Sequence, residues 1–170
     1  MALVIVSGLA CSGRTARSQE ILADFAQRAQ RERASPALRL VHLTHAHANT
    51  SRSAYATQTA EKPARAAYLS LVMRHLARDA VVVADGGAGT NIKGFRYQLW
   101  CAAREVGVRS VSVLCVALPE VCRRRNQQRR RAGQEGEGEE AYEDAVCVCG
   151  GQVCPLRDSP VFLYAASTTF

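Results

Sequence analysis

An apolar run, Leu3-Val4-Ile5-Val6, leads straight into Gly8-Leu9-Ala10-Cys11-Ser12-Gly13-Arg14-Thr15, and a helix-like segment follows. No other stretch constrains the chain so tightly. The spacing is Gly-x-x-x-x-Gly, then a basic residue, then Thr. Strand, glycine loop and helix form the setting that a phosphate-binding loop of the Walker A type requires. Glycine reaches backbone geometries closed to other residues, so consecutive N–H groups can turn inward onto phosphate oxygens. The first turn of the helix adds its partial positive charge. Read this way, Gly8, Cys11, Ser12, Gly13, Arg14 and Thr15 bind the phosphates, and Thr15 offers its hydroxyl to Mg²⁺. Arg14 stands where the motif calls for Lys, a planar fork in place of a compact charge on a flexible stem. The charge survives that exchange, and the fit around the β- and γ-phosphates changes.

The second signal lies about seventy residues downstream. Ala80-Val81-Val82-Val83-Ala84-Asp85 is a buried strand pattern ending in an acid, the Walker B arrangement. Asp85 would hold Mg²⁺ through water opposite Thr15. Both apolar runs are continuous rather than alternating, as parallel sheets demand. An α/β domain with a parallel sheet flanked by helices is therefore expected over residues 1–170.

Between these signals, Ile21, Leu22, Phe25 and Ala29 recur at helical spacing, and Ser35-Pro36 is expected to end that helix. Leu38 to Leu43 reads as a strand. Thr44 to Ala56 reads as a polar loop holding His45 and His47, without a single Asp or Glu. Thr59 is expected to cap the next helix, with Pro63 tolerated in its first turn and Leu69, Val72 and Leu76 on its apolar face. Gly86 to Thr90 reads as a flexible loop. Phe95, Leu99 and Val106 mark another helix, and Val108 to Val116 another strand. Pro119 opens a last helix to about Arg131 that carries Arg123, Arg124, Arg125, Arg129, Arg130 and Arg131. That helix is either a solvated basic face or a lid that closes over nucleotide phosphates and touches a polyanion. Residues 132–141 are acidic and glycine-rich and read as a flexible linker, and Val161 to Tyr164 as a final strand.

Composition narrows the partners. The net charge is +7, and the arginine bias suits a phosphate-rich partner. No apolar run reaches the roughly 18 residues of a membrane span, and the N-terminus lacks a signal-peptide layout. Seven cysteines without a secretion signal read as reduced thiols in cytosol or nucleus. Cys147, Cys149 and Cys154 lack a fourth ligand and the usual spacing, so no structural zinc is expected.

Several segments together resemble the killer-toxin-insensitivity ATPases that accompany the Elongator complex, relatives of the kinase that phosphorylates seryl-tRNA(Sec). They are Leu3 to Leu9 with Cys11-Ser12-Gly13, Glu61-Lys62 with Arg65, Ile92 to Cys101, Asn126 with Arg129, and Asp158 to Phe162. Ile92-Lys93-Gly94-Phe95-Arg96-Tyr97-Gln98-Leu99-Trp100-Cys101 is the most specific of these. The resemblance implies a P-loop kinase-like fold, ATP with Mg²⁺, tRNA-stimulated hydrolysis, and a role with Elongator in modifying wobble uridines in cytoplasm and nucleus. It implies Arg17 as the arginine that follows the loop and Arg129 as the lid arginine, beside Arg14 and Asp85 in catalysis. It also implies a C-terminal tRNA-binding domain, which this chain is expected to lack. The chain departs from the family at Arg14, at Thr44-His45 where an acid is expected, in the glycine-rich insertion before Lys93, and at Leu156-Arg157. A degenerate pseudo-ATPase that acts as a nucleotide-gated or nucleotide-free adaptor for Elongator or tRNA, or a tRNA or small-substrate kinase using His45 or His47 as base, are the alternatives.

Overall fold

The computed structural model describes residues 1–31, 38–50, 54, 57–134 and 161–165. Five strands, β1 (Ala2–Gly8), β2 (Arg39–Thr44), β3 (Ala80–Asp85), β4 (Arg109–Val116) and β5 (Val161–Ala165), form one sheet in the order β2-β3-β1-β4-β5. Every pairing is parallel. Among the described residues four α-helices intervene: α1 (Arg14–Arg31), α2 (Gln58–His75), α3 (Lys93–Val106) and α4 (Pro119–Gln134).

The continuous apolar strands are explained by helices on both faces. Leu3 and Ile5 of β1 join Val82 and Ala84 of β3 in a cluster with Tyr68 and Phe95 from α2 and α3. The intervening Val4, Val6 and Val83 turn the other way, onto Ile21, Leu22 and Phe25 of α1. Successive residues from Leu3 to Val6 and from Val82 to Ala84 are therefore wanted by one helical layer or the other, which leaves no place for polar alternation there.

The strand order places the functional loops. The chain leaves β1 towards β2 on one side and leaves β3 towards β4 on the other. Between β1 and β3 the connections part, and ligands of open α/β sheets bind at the carboxyl ends of such a pair. The glycine loop follows β1 and Asp85 ends β3, so the two sequence signals meet there.

Some local expectations need correction. Thr57, not Thr59, caps α2, its hydroxyl accepting from the Ala60 N–H at 3.3 Å. Thr59 lies inside the helix instead. Within the polar loop, His45–Ala48 forms a single 3₁₀ turn closed by Asn49 at φ 53°. α4 runs on to Gln134, three residues into the expected linker. The rest of that linker, Ser35-Pro36, Cys147, Cys149, Cys154 and Asp158 to Pro160 lie outside the described residues.

The glycine run after Asp85 is not the loose loop expected. Thr90 and Asn91 are 0% and 4% exposed. Thr90 donates its hydroxyl to the Val6 carbonyl at 2.8 Å, and the Gly8 N–H donates to Asn91 Oδ1 at 2.8 Å. Arg96, also buried, donates to the Thr90 carbonyl at 2.8 Å. Glycine is needed here for close approach: a Cβ on Gly86 would stand 2.7 Å from Tyr68 Cε1 and 2.9 Å from Thr90 Cγ2. The Ile92-to-Cys101 segment thus divides by face. Phe95, Arg96 and Leu99 brace the interior, while Tyr97 and Trp100 stack on the surface at 5.6 Å.

Candidate phosphate-binding site

The glycine loop takes the conformation its composition permits. Gly8 has φ 143°, Cys11 φ 59° and Gly13 φ 95°. These left-handed positions fold Gly8 to Gly13 back over the end of β1, and the Ser12 N–H donates to the Leu9 carbonyl at 3.2 Å. α1 begins at Arg14, and the Arg17 N–H reaches the Gly13 carbonyl at 3.0 Å. The N–H groups of Arg14, Thr15 and Ala16 precede the first i−4 acceptor of the helix. They are the donors that a phosphate group uses at a helix start.

Thr15 and Asp85 come together as expected. The Thr15 hydroxyl donates to Asp85 Oδ2 at 2.7 Å, seventy positions away in sequence. The second carboxylate oxygen faces Arg14, whose Nε lies 3.8 Å from Asp85 Oδ1, each side chain 5% exposed. Arg14 also donates through Nη1 to the Gly87 carbonyl. Its guanidinium is thereby turned onto the end of β3, bridging a carboxylate and a carbonyl that a lysine tip could not span in the same way. Arg17 pairs with Glu20 three residues along α1.

α4 closes the other side of the loop. Cys122 and Asn126 are buried, Arg125 and Arg129 partly so, and Arg123, Arg124, Arg130 and Arg131 exposed. Cys122 packs on Ala10 and Cys11. Arg125 donates to the Cys11 carbonyl at 3.2 Å, and a Cβ on Gly13 would stand 3.9 Å from its Nη1. Arg129 follows Arg125 by four residues on the same inward face. Of the α4 arginines, Arg125 holds the loop directly, and it was not singled out from the sequence. The signal that would have found it is the apolar pair Val121-Cys122 with Asn126, which orients the helix and leaves Arg125 at the rim. Asn91 and Thr90, concealed in a glycine run, were missed likewise.

His45 lies beside Gly87, its Nδ1 3.3 Å from where a Cβ would be. His47 is exposed and turned back on Thr44, whose N–H donates to its Nδ1 at 3.1 Å. Glu61 and Arg65 pair with each other along α2 at 3.6 Å. Among the described residues no group of three or more His, Cys, Asp or Glu is assembled for a metal ion, and no helix is long and apolar enough to cross a membrane.

His42, in β2, has its affinity for a proton lowered chiefly by burial. Asp85 opposes that effect and His47 adds to it. A folded-state value below the free imidazole's means that the unfolded chain takes up the proton first as pH falls. Stability is then lost from about pH 6.5 downward, through the lowered value, and levels off below it. His42→Gln is expected to flatten that acid limb in thermal melts. Equal acid sensitivity in both proteins would remove His42 as its source.

A family model described as chromatin associated protein KTI12 matches residues 1–147. The KTI12 homologue of Arabidopsis thaliana is 31% identical over 146 residues, which cover 86% of this chain and 46% of that protein. The kti12 protein of Schizosaccharomyces pombe is 33% identical over 133 residues, 77% of this chain and 46% of that one. The chain thus spans about half the length of the curated relatives it matches. Among solved structures, Chaetomium thermophilum Kti12 in complex with ADP-AlF3 superposes with a TM-score of 0.72 at 28% identity, covering 97% of this chain and 89% of that one. An APS kinase from Mycobacterium tuberculosis, solved with AMPPNP and APS, superposes with a TM-score of 0.62 at 10% identity, covering 99% and 90%, a likeness of fold alone.

Proposed function

The chain belongs to the KTI12 family, and from that premise we propose that it is an ATP-binding P-loop domain whose hydrolysis is stimulated by tRNA and which serves Elongator in wobble-uridine modification. The observation that carries the nucleotide reading is the Thr15–Asp85 contact at 2.7 Å beneath a glycine loop in left-handed geometry. A glycine-rich turn with a merely structural role has no need to bring a buried carboxylate to the first turn of the following helix. The complex of Chaetomium Kti12 with ADP-AlF3 supports the same ligand class.

In this reading the α1 N-terminus and the Gly8-to-Thr15 backbone bind the β- and γ-phosphates. Arg125 and Arg129 close from α4 onto charge that spreads over the phosphoryl oxygens, which is where catalysis of this transfer lies. Asp85 orients Thr15. Oxygen donors of this kind suit Mg²⁺, which binds through one or two protein oxygens plus phosphate and water. Thr15 and Asp85 are the oxygens that would hold it, in competition with the Arg14 guanidinium beside Asp85, and it would neutralise phosphate charge. The exposed arginines of α4 form the polyanion surface that a tRNA would meet. Work in cytoplasm and nucleus, association with Elongator and the choice of tRNA belong to this proposal through the family.

The engagement of Arg14 with Asp85 and Gly87 favours a second reading, an adaptor that holds nucleotide without rapid turnover. ATP turnover with and without tRNA separates the two. The ATPase reading predicts turnover that rises with tRNA and tRNA affinity that falls steeply with salt. Replacing Arg123, Arg124, Arg130 and Arg131 by Ala should flatten that salt slope by about one unit for every phosphate that is no longer neutralised. Nucleotide binding without turnover, at any tRNA concentration, selects the adaptor.

A further inference from the structure

Arg14 occupies an unusual place for the basic residue of a phosphate loop. Its side chain is 5% exposed, with Nε 3.8 Å from Asp85 Oδ1, and Nη1 donates to the Gly87 carbonyl. Asp85 has its other oxygen committed to Thr15 at 2.7 Å. Both faces of the carboxylate are engaged, one of them by a fixed positive charge. The end of β2 carries Thr44 and His45 and brings no carboxylate to help hold a divalent ion.

From this we infer that Arg14 is a resident counter-ion for the Asp85 site, so that the chain binds ATP or ADP as the metal-free anion about as tightly as the Mg²⁺ complex. The inference rests on the nucleotide reading above and deepens it. The physical argument is charge competition. A divalent cation between Thr15 and Asp85 would share one carboxylate with a guanidinium whose Nε already lies 3.8 Å from Asp85 Oδ1, and two cations on one buried carboxylate repel each other. Removing the guanidinium is resisted because Arg14 spans two acceptors at once. A lysine, with one compact donor tip, would leave Asp85 for the phosphates and open the site to Mg²⁺. The metal-free nucleotide carries more negative charge than its Mg²⁺ complex. Arg125 on the loop carbonyl of Cys11, and Arg129 one turn further along α4, add positive charge on that side.

The test is calorimetric titration of ADP into the chain, once in excess Mg²⁺ and once in EDTA, repeated for Arg14→Lys. The expected result is a pair of dissociation constants within about threefold for the chain as it stands, and a weakening of about tenfold or more in EDTA for Arg14→Lys. A weakening of about tenfold in EDTA for the unaltered chain overturns the inference while leaving nucleotide binding intact, and needs no variant. Absence of ADP binding by the unaltered chain in both conditions overturns the nucleotide reading itself, and the counter-ion role falls with it.

Discussion

Gly8→Ala is expected to unfold much of the nucleotide site and to lower the stability of the whole domain. A Cβ at this position would stand 2.3 Å from the Cys115 carbonyl oxygen and 2.9 Å from Ser12 Oγ, with the backbone at φ 143°. The carbonyl belongs to β4, the neighbour of β1, and pairs in register with Gly8 itself. It cannot rotate away as a side chain would. Either β4 separates from β1 or the loop leaves its left-handed geometry, and each route is costly. Backbone strain of about 1–3 kcal/mol and overpacking of about 1–3 kcal/mol together give about 2–6 kcal/mol. In a domain of this size that is a fall in Tm of roughly 4 to 24 °C. Gly94→Ala is the control, because no heavy atom lies within 4 Å of its Cβ. It lies in α3, where alanine is the better helix former, and should leave Tm unchanged or slightly higher. Equal melting temperatures for the two variants would contradict the placement of the loop against β4.

Asp85→Ala should be the other severe change, for an electrostatic reason. The carboxylate has two partners in the interior, the Thr15 hydroxyl and the Arg14 guanidinium. Its removal leaves a guanidinium that is 5% exposed without its counter-charge. Taking one partner from a buried ion pair typically costs about 3–5 kcal/mol, and the bond that Arg14 keeps to Gly87 favours the lower end. Thr15→Ala deletes only a hydroxyl and its hydrogen bond, worth about 1 kcal/mol. The decisive comparison is the double variant Arg14→Met with Asp85→Ala. With the charge gone, the cavity is an apolar packing problem, and much of the stability should return. A double-mutant cycle in denaturant reports that coupling directly. Strict additivity would mean that Arg14 and Asp85 do not interact in the folded protein.

The parts of this fold legible in the sequence are those whose physics is local. Leu3 to Val6 and Ala80 to Ala84 announce buried parallel strands because both faces are claimed by helices. The P-loop kinase-like sheet follows from these strands, the glycine loop and the family likeness, and the superposition on Chaetomium Kti12 agrees with it. Asp85 meeting Thr15 was readable because strand ends in parallel sheets gather on one edge. The rest depended on contacts between distant positions. The glycine run at 86–89 carries the composition of a mobile loop, yet Thr90 and Asn91 behind it reach β1 across 84 and 83 residues. Spacing alone could not choose Arg125 over Arg129 on a helix with arginines around most of its circumference. The burial of Asn126 and Cys122 against the loop decides that Arg125 lies at its rim. Arg14 shows the limit most plainly. Its identity was visible as a departure from the motif, but its destination depends on Asp85 and Gly87, both about seventy residues away.

The most direct test of the central claim is titration of ATP into this chain, followed by calorimetry and by the shift in Tm. A domain with this loop is expected to bind one ATP saturably in the micromolar range. Bound at about a hundred times its dissociation constant, the nucleotide should stabilise the fold by about 2.7 kcal/mol and raise Tm accordingly. No heat of binding and an unchanged Tm at millimolar ATP would contradict the account, and would leave the glycine loop, Thr15 and Asp85 as a structural junction between β1, β3 and α1.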